Sequence, residues 1–145
     1  MGFSVSGSAA IIFVAAFIGF GMFYTASANS IEQINDARAD QADRTLDQQN
    51  TDIEIVAATW DADGNGDLDV EVENTGATGL SVADTDLLVD GVYRTGYSTS
   101  VEGDSDTDVW APQQTLSITV TTLSTQPSDV KVVTENGVAD TGVVS

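Results

Sequence analysis

No charged side chain stands before Glu32. That absence limits what the opening stretch can be. "AAIIFVAAFIGFGMFYTASA" (Ala9–Ala28) is, as a helix, long enough to cross a hydrocarbon core of ~30 Å. Two stripes run along it at helical spacing. Phe13, Phe17, Phe20 and Tyr24 follow one face; Ala15, Gly19, Met22 and Ala26 follow roughly the opposite one. Small residues four apart let a second helix come close, so Ala15, Gly19, Met22 and Ala26 are the candidate helix-packing residues. Small residues are also common in membrane helices that pack against nothing. "ASA" at Ala26–Ala28 fits the small-residue pattern of a signal-peptide cleavage site. The apolar run exceeds the usual ~7–15-residue signal core, and no Lys or Arg precedes it, so the expectation is a retained anchor. Arg38 and Arg44 follow the span, and the positive-inside rule would put that side in the cytoplasm. They sit among Glu32, Asp36, Asp40, Asp43 and Asp47, so the orientation stays open at this point.

The expected organisation is a transmembrane helix over 1–29, a polar helical stalk over 30–50 and a β-sandwich over 51–145. In the stalk, Ile31 and Ile34 extend the apolar face by one turn, and Asp40 and Arg44 have i,i+4 spacing. Heptads are not sustained, which argues against a stable coiled coil. From Asp52 the period of the pattern drops to two. "DIEIVAATW", "DLDVEVEN", "DLLVDGVY", "TLSITVTT" and "DVKVVTENG" alternate apolar and polar residues between Gly, Asn, Asp and Ser. "ENG" at Glu135–Gly137 marks a hairpin into a last short strand near "GVADTGVV". About seven strands without a helical pattern predict an all-β, immunoglobulin-like antiparallel sandwich after one long N-terminal helix. Without cysteine for an inter-sheet disulfide, Trp60 and Trp110 are expected to carry much of the core.

"DADGNGDLD" places oxygen ligands at Asp61, Asp63, Asn65, Asp67 and Asp69, on the schedule of a calcium-binding EF-hand loop, with Gly66 at the sixth position. The twelfth position is Val72, which cannot ligate, and both flanks read as strands where an EF-hand needs helices. The stretch reads first as a turn, with a weak surface calcium site as the competing reading. A second acid series, Glu102, Asp104, Asp106 and Asp108, reads the same way.

Charge excludes several functions. The chain carries 23 Asp+Glu against 4 Lys+Arg, a formal net charge of −19, and Lys131 is its only lysine. With no basic patch to displace phosphate counterions, nucleic-acid binding is not expected. Interleaved acids on a folded domain point to a salt-loving source, where molar salt screens the self-repulsion. No Cys and no His means no disulfide, no thiolate nucleophile and no ordinary zinc site. Ser and Thr abound without a base to activate them, and no apolar pocket singles out a carboxylate pair. The chain is therefore read as neither an enzyme nor a cofactor protein.

The opening "MGFSVSGSAAIIFVAAFIGFGMFYTASANS", "VENTG" (Val72–Gly76), "DLLVDG" (Asp86–Gly91) and "WAPQQTLSITV" (Trp110–Val120) together resemble the archaellum accessory protein F family of haloarchaea. Family members often read Trp-x-Pro-Gly-Glu-x-Leu in the last stretch, and here Gln113 replaces the glycine. The resemblance implies a non-enzymatic stator component of the archaeal swimming motor. Its helix would lie in the cytoplasmic membrane as a single pass. Its sandwich would lie outside, beneath the S-layer, binding S-layer protein and a G-type archaellum partner, and homo- or hetero-oligomers are expected. Two rivals share parts of the pattern: an archaellin or pilin-like filament subunit, and a membrane-anchored adhesion or cation-binding surface domain. A filament precursor would carry a short basic leader, and with neither Lys nor Arg before the apolar run that processing is not expected.

Overall fold

The computed structural model describes residues 3–61 and 66–145, with side chains from Gly7 onward. Among these residues one α-helix, α1, runs through Phe3–Asn50, and ten β-strands follow. No proline interrupts α1, and its hydroxyls do not compete with the ladder. Thr25 Oγ1 donates to the Gly21 carbonyl at 3.0 Å and Ser30 Oγ to the Ala26 carbonyl at 2.8 Å, which satisfies both groups inside the helix. The first part of α1, with its exposed Ile, Phe and Tyr side chains, is long and apolar enough to cross a membrane.

The chain divides into two compact units, 1–43 and 44–145. The second holds an immunoglobulin-like β-sandwich. Its first sheet has the order β1 (Ile53–Trp60), β2 (Leu68–Asn74), β8 (Thr115–Val120), β6 (Ser98–Val101). Its second has the order β10 (Ala139–Val143), β9 (Asp129–Val133), β4 (Asp86–Val89), β5 (Val92–Arg94). A short ribbon pairs β3 (Leu80–Ser81) with β7 (Val109–Trp110), and every pairing is antiparallel.

Alternation produces this architecture directly. Along β2 the buried positions are Leu68, Val70 and Val72, while Asp69 and Glu71 face water; on β8 Leu116, Ile118 and Val120 are buried. From the other sheet Leu87, Val89, Val130 and Val132 meet them, and Trp110 fills the remaining space at 0% exposure. Trp60 is only half-buried against that core, so the two tryptophans are not equal partners in it. A bulge lies between Ile55 and Ala57 on β1, where the free Ile55 N–H donates to Asp140 Oδ2 of β10 at 2.8 Å. The C-terminus closes the same side: Ser145 N–H donates to the Ala58 carbonyl at 3.0 Å and Trp60 N–H to the Ser145 carbonyl at 3.2 Å. One edge of each sheet is thereby covered. The β5 and β6 edges bound the opposite side.

Candidate functional site

Residues 61–67 connect β1 to β2, which are neighbours in one antiparallel pair with Trp60 opposite Leu68. Asp61 N–H donates to the Asp67 carbonyl at 2.9 Å and closes the connection. Gly66 has φ 74, and a Cβ there would run into the Leu123 carbonyl oxygen, so both its backbone conformation and its surroundings call for glycine. The flanks are strands, not the helices of an EF-hand. Of the five candidate ligands, Asp63 and Asn65 lie outside the described residues. Asp69 stands on β2 and accepts from Thr119 Oγ1 at 2.7 Å; Asp67 Oδ1 accepts from Thr122 N–H at 3.3 Å. Both carboxylates thus have protein partners. No group of three or more metal-ligating side chains occurs among the described residues.

Three of the four carboxylates in the second acid series, Glu102, Asp104 and Asp108, are likewise engaged within the protein. Glu102, at φ 51, accepts from Thr115 N–H through Oε1 at 2.8 Å. Asp104 Oδ1 accepts from Asp106 N–H at 2.9 Å. Asp108 Oδ1 accepts from Ala83 N–H at 2.7 Å and from Ser81 Oγ at 3.2 Å. Carboxylates in these positions satisfy donors that a turn would otherwise leave open.

On α1, Ala15, Gly19, Met22 and Ala26 share one face, and Phe13, Phe17, Phe20 and Tyr24 the other. Phe13, Ala16, Phe17, Phe20, Gly21 and Tyr24 line a shallow apolar groove. A Cβ on Gly19 or Gly21 would meet nothing within 4 Å, so each glycine opens onto an unoccupied side of the helix.

The sequence reading missed a junction built by "VENTG". Asn74 is fully buried; its Nδ2 donates to the Thr78 carbonyl at 2.9 Å and the Trp110 carbonyl at 3.1 Å, and its Oδ1 accepts from Gly76 N–H at 3.1 Å. The loop it shapes grips the end of α1, where Ala77 N–H donates to the Asn50 carbonyl at 2.7 Å and Gly76 N–H to the Asp52 carbonyl at 2.9 Å. A Cβ on Gly76 would stand 2.5 Å from both Asn50 O and Asp52 N, so a close backbone approach fixes this glycine. From the β9–β10 hairpin, Asn136 Nδ2 donates to Thr51 Oγ1 at 2.9 Å and its carbonyl accepts from Gln48 Nε2 at 3.0 Å. No local pattern in the sequence marks this junction; once the fold buries Asn74, its amide must find hydrogen-bond partners, and these come from distant segments.

The outer face of the β1-β2-β8-β6 sheet is acidic and hydroxylic. Glu54 lies opposite Glu73, Glu71 lies between Ala57 and Ser117, and Asp69 lies between Thr59 and Thr119. Nothing in this arrangement resembles a catalytic pocket. What it offers chemically is a folded, strongly anionic protein surface joined in one chain to an apolar helix.

The archaeal-type flagellin family profile matches residues 2–143. No curated protein matches the chain. Among solved structures, the archaellum periplasmic stator protein FlaG from Sulfolobus acidocaldarius is similar at 17% identity and a TM-score of 0.45, over 63% of this chain and 97% of that one. A chain of the archaellum periplasmic stator protein complex FlaF and FlaG from the same organism is similar at 18% identity and a TM-score of 0.44, over 62% of this chain and 85% of that one.

Proposed function

The chain belongs to the archaeal-type flagellin family, and from that premise we propose that it is a stator component, tying the archaellum motor between cytoplasmic membrane and S-layer. The observation that carries this reading is the union, in one chain, of an apolar helix of membrane-spanning length and a β-sandwich. The apolar part of α1 serves as a single-pass anchor, and residues 30–50 serve as a polar stalk. The sandwich lies on the outer side of the membrane, where it binds S-layer protein and a G-type archaellum partner. No catalytic step is assigned to it. Holding a motor still requires attachment at two ends, and an anchor with a protein-binding domain supplies both. The high acid content suits molar salt, in keeping with a halophilic source.

A filament subunit is the second reading, and the family match itself favours it. One pair of measurements separates the two. In the stator reading, deleting residues 52–145 leaves filaments that assemble but rotate poorly, and the intact protein stays in the membrane fraction, absent from purified filaments. Recovery as the repeating subunit of purified filaments assigns it to the filament instead. Normal swimming after the deletion overturns the motor reading altogether.

A further inference from the structure

Only Thr51 and Asp52 separate the end of α1 from the start of β1. Two residues span ~7 Å at most, so the connection holds little slack. The helix end also lacks the usual means of closing itself. Its last turn carries no basic side chain, and neither Thr51 nor Asp52 takes the positive φ of a left-handed cap. The sandwich closes it instead. The Asn50 carbonyl accepts from Ala77 N–H at 2.7 Å and from Thr78 N–H at 3.3 Å, both in the loop after β2. Nearly one turn back, the Asp47 carbonyl accepts from Thr51 Oγ1 at 2.7 Å, and that oxygen accepts in turn from Asn136 Nδ2 at 2.9 Å. Gln48 Nε2 completes this second grip on the Asn136 carbonyl of the β9–β10 hairpin at 3.0 Å. Each sheet thus supplies one grip, and residues 44–50 fall in the same compact unit as the sandwich. Their side chains stay exposed, so hydrogen bonds fix this end, not apolar burial.

We propose that these contacts form a mechanical coupling: the end of α1 enters the sandwich as a clamped end, not as a swivel, and a pull on the domain passes into the helix through both sheets. Thr51 is the central positioning residue. It is buried at 5% exposure, and its one hydroxyl ties the Asp47 carbonyl to the β9–β10 hairpin. Gly76 sets the approach on the other side, where a Cβ would stand 2.5 Å from both Asn50 O and Asp52 N. Buried Asn74 holds that loop to the Thr78 and Trp110 carbonyls, so the grip is itself anchored in the core. A helix joined to the domain through the chain alone would load β1 and peel it from β2, one hydrogen bond after another. Held from both sheets, the helix end shares the pull and spares that edge strand. That a pull exists rests on the stator reading; the clamp itself stands on the contacts.

A free helix end frays, so its exchange quickens towards the last residue; a clamped end reverses that gradient. In the full-length protein in lipid vesicles and molar KCl, amide hydrogen exchange should be about tenfold slower at 47–51 than at 30–40. Thr51→Val keeps the side-chain shape and removes the hydroxyl. It should bring 47–51 to the rate of 30–40 while β2 and β8 keep their protection, whereas Thr51→Ser should retain the slow exchange. Gly76→Ala should give the same local loss from the other grip. Exchange in the unaltered chain that quickens towards Asn50 overturns the clamp, as does slow exchange that survives both Thr51→Val and Gly76→Ala. The coupling is read in cells. Inserting Gly-Ser-Gly-Ser between Asn50 and Thr51 should roughly halve swimming speed at an unchanged amount of membrane-bound protein. Full speed overturns the coupling where deleting residues 52–145 does impair swimming. If that deletion leaves swimming normal, the motor reading fails instead, and the exchange gradient decides the clamp.

Discussion

Gln113 sits where the backbone asks for glycine. Its φ is 65, it follows Pro112, and Gln114 N–H closes the turn onto the Ala111 carbonyl at 3.2 Å, the pattern of a type II turn with positive φ at its third position. The resembling family often has glycine there, and the conformation supplies the reason. Gln113→Gly removes a left-handed strain of ~1–2 kcal/mol and loses part of that to a freer unfolded chain. Chemical denaturation should show a net gain of about 0.5–1 kcal/mol, with a loss counting against the strain. Tyr97 yields a second prediction at this scale. Its hydroxyl donates to the Thr85 carbonyl at 2.9 Å, and burial raises its pKa, with the charges of Tyr93 and Asp86 adding to the effect. The folded state therefore holds this proton more tightly than the unfolded chain does. The associated stability is fully present below the unfolded tyrosine pKa, ~10, and is lost as pH rises through the folded value. Melting followed from neutral pH to pH ~12 should stay level up to about 10 and then fall. Tyr97→Phe should cost roughly 1 kcal/mol at neutral pH through the lost hydrogen bond and make the alkaline fall shallower.

Element by element, β2 shows what selection for charge does to a strand that is otherwise well formed. Leu68, Val70 and Val72 bury one face, and that face alone specifies the register. The other face sets Glu73 directly opposite Glu54, an unfavourable like-charge pair in an antiparallel ladder. Glu73→Gln should therefore stabilise the sandwich by a few tenths of a kcal/mol at low salt and by nothing measurable in molar KCl. A gain of the same size at both salt levels points to β-propensity instead. The alternation that makes β2 function as a strand also made it, β1, β8 and β9 legible in the sequence, and Asn136-Gly137 announced its hairpin; "DLLVDGVY", read as one alternating stretch, is instead divided by Asp90-Gly91 into β4 and β5. Asp90 and Gly91 have φ 51 and 73, the doubly positive pair of a type I′ turn. The strands β3, β6 and β7 were not legible. Two of them have only two residues, and β6 reads Ser-Thr-Ser-Val with a single buried side chain, so no period exists to detect. The unequal tryptophans were equally hidden. Trp110 gains full burial and an indole hydrogen bond to the Gln114 carbonyl at 2.8 Å, whereas the Trp60 indole N–H is buried without a partner among the described residues. Both outcomes depend on loops that meet only in the fold. The junction of Asn74, Gly76 and Asn136 escaped for the same reason: three segments distant in sequence create it.

At the scale of the whole molecule, charge and core are separated. Among the described residues the hydrophobic core is built from Val, Leu, Ile, Ala and Trp, and the four buried polar residues are Thr51, Asn74, Thr85 and Thr134, none of them ionisable. Salt therefore acts on stability almost entirely through the surface. At 0.1 M the Debye length is ~10 Å and neighbouring carboxylates feel one another; at 1 M it is ~3 Å and they barely do. With 23 acids against 4 basic groups the summed interaction is repulsive, and the compact state suffers more than the expanded one. The sandwich should lose melting temperature steeply as KCl falls from molar to 0.1 M, and a flat profile would remove self-repulsion as a controlling force. Salt also strengthens apolar burial by exclusion from the surface, which would give the same sign. A charge-reduced chain separates the two causes. With Glu54, Glu71 and Glu73 changed together to Gln, screening has less repulsion to relieve, so the slope of melting temperature against log salt should become shallower. Exclusion acts on the same buried core in both chains and would leave that slope unchanged. Because the three positions lie together on one outer face, Glu54 and Glu71 exposed and Glu73 half-buried, and Gln keeps the shape of Glu, the comparison alters the field of the molecule with little change to its packing.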